Sequence, residues 1–122
     1  MGTSVSAFSD EVKHLIYERG DGRCDWCWLK APDGDFHHRC ARGMGGSDDE
    51  ALGETSNGCL LHRGCHTYLE DHPDKARAWG FRVDSGVDPK TVPIRLYVGW
   101  VLLDDLGGVV GTDDAVTVVA TG

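Results

Sequence analysis

Apolar residues recur at helical spacing soon after the start of the chain. Val12, Leu15 and Ile16 fall on one face of a helix that Ser9 can cap and Gly20 can end. Gly22 and Arg23 lead into a tight knuckle at Cys24-Asp-Trp-Cys27. Pro32-Asp33-Gly34 signals a turn. Residues 35–39 then read as a short extended segment, on which His37 and His38 point to opposite sides. Residues 40–56 are a polar, glycine-rich loop. Asn57 opens the next ordered stretch, where Cys59, Leu60 and Leu61 are expected to be buried. A helix carrying Cys65, His66, Tyr68 and Leu69 follows and stops near Pro73. Residues 73–79 suit a short helix with proline at its first position, ended by Gly80. Residues 81–83 suit a short strand and residues 84–90 are turn-rich. Beyond them, residues 94–103 are strand-like, 104–108 form a turn and 109–119 have further strand character. Trp79, Phe81, Tyr97 and Trp100 read as core or strand-face residues. The last few residues are expected to be disordered. The pattern predicts a mixed α+β fold, with residues 1–83 as the main domain and 84–122 as a β-rich extension.

The length of 122 residues suits one small domain. With 17 glycines and only 8% aromatics, the core is modest, and a bound metal would help to hold it. No run of about 18 apolar residues occurs, so no membrane span is expected. The first residues lack the basic and apolar segments of a signal peptide. Gly2 and Ser6 match the outline of a myristoylation pattern, but no polybasic signal accompanies them. Five cysteines is an odd number for a disulfide scaffold. Paired Cys-x-x-Cys spacing fits zinc in a reducing cytoplasm better.

The formal net charge of -8 argues against strong nucleic-acid binding. Its distribution softens that objection. Residues 36–47 contain Arg39, Arg42, His37 and His38 and no carboxylate, whereas the acids cluster elsewhere. Weak, salt-sensitive DNA binding is therefore expected.

Two short-spaced ligand pairs carry the clearest chemistry. Tetrahedral zinc takes four thiolate or imidazole ligands, commonly as two such pairs. Cys24 and Cys27 form one; His62 and Cys65 form the other. Cys59 is the rival for the fourth position, although its neighbours suggest core. Cys40 has no obvious partner in its loop. Between the pairs lie His37 and His38. Phosphodiester hydrolysis needs a proton acceptor for water and a positive charge at the phosphate. Adjacent histidines on an extended segment give one side chain to each task, and His66 can complete a metal site. His14 and His72 are read as ordinary surface or hydrogen-bonded residues. Arg39, Arg42 and Arg63 are candidates for phosphate contact, with Arg39 also able to stabilise charge during reaction. Gly43, Gly45 and Gly46 would let the backbone approach DNA closely.

The run His37-His38-Arg39 followed by Arg42-Gly-Met-Gly-Gly-Ser47, together with Asn57-Gly-Cys-Leu-Leu-His62-Arg-Gly-Cys65-His66, resembles the HNH endonuclease family. The likeness covers residues 23–83 and is greatest to small bacteriophage and prophage proteins of the zinc-stapled branch. It implies a ββα-metal core and a DNA endonuclease. By that resemblance His38 is the general base, Asn57 braces the loop, and His37 and His66 hold a catalytic divalent ion, whether Mg2+, Mn2+ or another. Without it, the roles of His37 and His38 could be exchanged. Two positions depart from the family pattern. His62 stands where a cysteine is common, and Glu70 stands where many relatives carry a further histidine. Glu70, one turn after His66, is either a ligand for a hard cation or a solvated carboxylate. The resemblance further implies a bacterial cytoplasm, DNA as substrate and a phage terminase as a partner. The competing reading is a catalytically idle zinc-binding module, acting as an adaptor in phage DNA packaging.

Overall fold

The computed structural model describes residues 8–40 and 53–111. Arg42 and the glycines at 43, 45 and 46 lie outside the described residues, as does the strand expected at 112–119. The described chain is a small mixed α+β protein with three α-helices and two antiparallel sheets.

Helix α1 spans Asp10–Arg19. The Ser9 hydroxyl accepts from the Val12 amide at 3.1 Å, Asp10 and Glu11 sit in the first turn, and Gly20 caps the end. The chain then turns through Asp21 and Gly22, both at positive φ, into the Cys24 knuckle. Strand β1 (Asp35–His38) pairs antiparallel with β2 (Gly58–Leu61), placing His37 opposite Cys59 and His38 opposite Gly58. Helix α2 (Arg63–Asp71) follows β2 directly. Helix α3 (Pro73–Ala78) begins on its proline, and Gly80 reverses the chain at φ +87°. A second sheet, β3 (Ile94–Leu96), β4 (Gly99–Leu103) and β5 (Val109–Gly111), is ordered β3-β4-β5.

Two expected strands differ. Residues 94–103 are a hairpin, not one strand, because the chain reverses at Tyr97 and Val98 and enters β4 through Gly99 at φ +122°. Residues 81–83 form no strand, yet they serve β1: the Val83 amide donates to the Arg39 carbonyl at 2.8 Å.

The boundary placed after Val83 is not a break in packing. Ile94, Leu96, Val101 and Leu103 of the second sheet share one buried cluster with Ile16, Leu60, Leu61, Leu69 and Phe81. Helix α1 lies so close to β2 that a Cβ on Gly58 would run into Ile16. The buried pair Arg19–Asp25, 3.3 Å apart, fastens the same corner. Arg19 also donates to the Gly58 carbonyl at 2.7 Å, and Asp25 accepts from the Leu60 amide at 3.0 Å.

Arg39 is 1% exposed and corrects its expected role. Its guanidinium donates to the carbonyls of Gly80, Ser56, Pro89 and Val92, at 2.8 to 3.1 Å. Buried carbonyls need partners and a guanidinium needs acceptors, so the side chain cross-links the end of β1 to the turn before β2 and to the approach to β3. It is enclosed away from any phosphate. A lysine has one compact ammonium and cannot reproduce this fork. Arg39→Lys is expected to cost about 2–4 kcal/mol by leaving carbonyls unsatisfied, measured by urea unfolding of zinc-loaded protein. An unchanged midpoint would refute the cross-linking role.

Candidate metal centres and catalytic hollow

The knuckle and the start of α2 bring Cys24, Cys27, His62 and Cys65 together, with one ligand atom from each lying within 4.8 Å of all the others. The local backbone explains the arrangement. The Cys27 amide points at the Cys24 sulfur at 3.4 Å, and the His62 amide points at it from across the fold at 3.5 Å. The His62 Nε2 lies 2.7 Å from the Lys30 carbonyl, which only accepts. Nε2 therefore carries the proton, and the Nδ1 lone pair faces the Cys27 sulfur at 3.1 Å.

The thiols differ in acidity. Burial raises the Cys24 pKa, but amides from Cys27, His62 and Trp26 outweigh it and hold the thiol below its ordinary value. Cys65 is pushed up to about 12, by burial first and then by Cys24 and Cys27 beside it. Three sulfurs at this spacing resist collective ionisation unless a cation joins them. The donor set fits zinc, and these four residues can hold it. Cys59, the rival, is fully buried opposite His37 and its thiol is also pushed up to about 12, chiefly by burial. It belongs to the core.

A second group forms one residue further along α2. His37, His66 and Glu70 each place a ligand atom within 4.8 Å of the others. His37 donates from Nε2 to the Phe81 carbonyl at 2.8 Å, which leaves its Nδ1 as the acceptor. Burial keeps the His37 pKa below its usual value, favouring the neutral ring that a metal ligand requires. His66 Nδ1 lies 3.0 Å from an Asp35 oxygen, so it carries the proton and turns Nε2 toward Glu70 at 3.2 Å. Two imidazoles and a carboxylate brought together in this way are a donor set suited to a divalent cation. Glu70 belongs to this group by position, although its side chain is largely exposed.

Asp35 escaped the sequence reading. Its carboxyl bonds His66, and Arg63 reaches its other oxygen at 3.2 Å. The His66 N–H, with Arg63, holds Asp35 below the usual carboxylate range. Only the packing of α2 on β1 could reveal the pairing, because 31 positions separate Asp35 and His66.

His38 points to the other side of β1 from His37, as strand alternation requires. Its ring stacks on Phe8, with centroids 4.0 Å apart. His38 and His66 both line a hollow of about 420 Å³, with Lys13, Asp35 and Phe36. Lys13, whose ammonium lies 5.7 Å from the Phe36 ring centre, is a cation at this hollow that the sequence did not single out. Asn57 is fully buried. Its Oδ1 accepts from the Cys40 amide at 2.8 Å and its Nδ2 donates to the Cys40 carbonyl at 3.3 Å, tying down the chain where it leaves β1. Arg63 is exposed and pairs with Asp35.

No helix among the described residues is long and apolar enough to cross a membrane. Comparison of the chain with protein-family models, with curated proteins and with solved structures finds no match.

Proposed function

We propose that this chain is a metal-dependent DNA endonuclease of the HNH type, with β1, β2 and α2 as a ββα-metal core. The observation that carries this reading is that His37, His66 and Glu70 come together, each histidine keeping one ring nitrogen free of its hydrogen-bonded proton, and that His66 shares a hollow with His38.

His37, His66 and Glu70 would hold the catalytic ion, which when bound stabilises charge on the phosphate and on the leaving oxygen. His38 takes the proton from the attacking water, and its stack on Phe8 fixes the ring plane for that task. Asn57 keeps the end of β1 in place through Cys40. Lys13 and Arg63 draw the phosphate to a protein that is otherwise acidic. Asp35 keeps His66 in the ligand tautomer. Zinc on Cys24, Cys27, His62 and Cys65 would hold the knuckle against α2.

The test is cleavage of supercoiled plasmid by zinc-loaded protein, with Mg2+, Mn2+ or no added ion. Ion-dependent cleavage supports the reading. Intact plasmid under every ion would replace it with the idle zinc module. Asp35→Ala should weaken Mn2+ binding by about 10- to 100-fold, because His66 loses the partner that sets its tautomer. Isothermal titration with Mn2+ checks this, and unchanged affinity would remove Asp35 from the site.

A further inference from the structure

Away from the catalytic hollow, the knuckle and the β3–β4 hairpin enclose a groove of about 470 Å³. Its walls include Trp26, Trp28, Trp79 and Tyr97. Aromatic residues at such density are usually closed into a core, but here Tyr97 is 70% exposed and Trp79 38% exposed. Trp28 and Tyr97 stack with centroids 4.9 Å apart and planes 5° from parallel. Trp28 holds this position from φ +67°, a conformation that a bulky side chain rarely adopts. Besides Cys27, one of the four candidate zinc ligands, the lining carries the charged residues Arg95 and Asp25. The Arg95 guanidinium lies 5.7 Å from the centre of the Trp79 ring. Asp25 is 3% exposed, and its Oδ1 has no hydrogen-bond partner among the described residues.

We propose that this groove binds a single-stranded nucleic-acid segment, with a base stacked on the Trp28–Tyr97 platform and its phosphate at Arg95. Flat aromatic faces that continue an existing stack suit a base, since every base has a π-face. A guanidinium beside them suits a phosphate. The lining contains no exposed carboxylate, although the chain carries a net charge of -8. An ammonium ligand is disfavoured, because Arg95 already occupies the face of Trp79. In taking DNA as the strand, the inference rests on the nuclease reading. The groove would then hold an unpaired strand at a site separate from the catalytic hollow.

The test uses zinc-loaded His38→Ala protein with no added divalent ion, so that the probe is not cut. The probe is a thymidine oligonucleotide of about twelve nucleotides, followed by tryptophan quenching and by anisotropy. Binding with quenching is expected, weakened about tenfold or more by Tyr97→Ala or by Arg95→Ala at unchanged zinc content. An abasic oligomer of the same length should bind at least as weakly as those variants do. Absence of binding would overturn the proposal, and so would equal binding by Tyr97→Ala or by the abasic oligomer. Tyr97-dependent binding by a protein whose wild type cuts no plasmid would support the groove and refute the nuclease.

Discussion

His38→Ala is expected to lower plasmid cleavage by about 10²- to 10⁴-fold, the usual contribution of a positioned general base. The side chain lines the hollow but contributes no ligand atom to the His37, His66 and Glu70 group. Its loss should therefore reduce the rate without changing the ion concentration needed for half activity. His37→Ala and His66→Ala should behave differently, because each removes a ligand atom. Cleavage by these variants should recover partly at higher Mn2+. Rates at saturating ion, set beside ion-titration midpoints, separate the two roles. A His38→Ala protein that cuts at the wild-type rate would assign the base elsewhere. If His37→Ala gave the rate defect and His38→Ala the ion defect, the two roles would be exchanged. The mutant also loses the ring stacked on Phe8, so zinc content and the unfolding midpoint must accompany the rate.

Removing zinc should unfold the protein. Structural zinc binding is worth about 10–16 kcal/mol at neutral pH, whereas a whole domain is stable by about 5–15 kcal/mol. Here the four ligands join the knuckle to α2, and the core beside them is small. Treatment with a strong chelator should abolish cooperative thermal unfolding and release zinc in proportion to protein. Cys65→Ser should do the same without chelator. The effect has a definite pH sense. In the metal-free protein Cys65 holds its proton at neutral pH, since its pKa is pushed up to about 12. Zinc must displace that proton, so its affinity falls as pH falls and chelation becomes easier in acid. A chelated protein that still melts cooperatively at the original temperature would show that the cluster is not structural.

Much of this arrangement was legible because it is local. Ser9 and Gly20 bracket α1 through hydrogen bonds within a few residues, and a cap is recognisable from the residue type alone. The ligand pairs are spaced by the geometry of one knuckle and one helical turn, so they too could be read directly. The segment 35–39 was taken as extended, the strand covers 35–38 of it, and alternation then fixed the opposite facing of His37 and His38. What escaped depends on distant partners. Arg39 looks like any cation beside a histidine pair; its four carbonyls lie 17 to 53 positions away. Asp35 looks like turn punctuation until α2 packs against it. The reversal at Tyr97 and Val98 lacks proline and has its glycine one place later, at Gly99, so the apolar run hid the turn.

Cys65 and His66 are consecutive residues of α2, and each belongs to a different ligand group. Because one turn carries both, the affinity for one ion would contain a term from the other. Zinc that fixes the start of α2 would pre-set where His66 and Glu70 stand relative to His37. Mn2+ held by those three residues would resist, in turn, the movement of Cys65 that zinc release requires. Thermodynamic linkage makes the two effects equal: whatever factor zinc lends to Mn2+ affinity, Mn2+ returns to zinc. Through that coupling free energy, the metal that does no chemistry would govern the concentration at which the other begins to work.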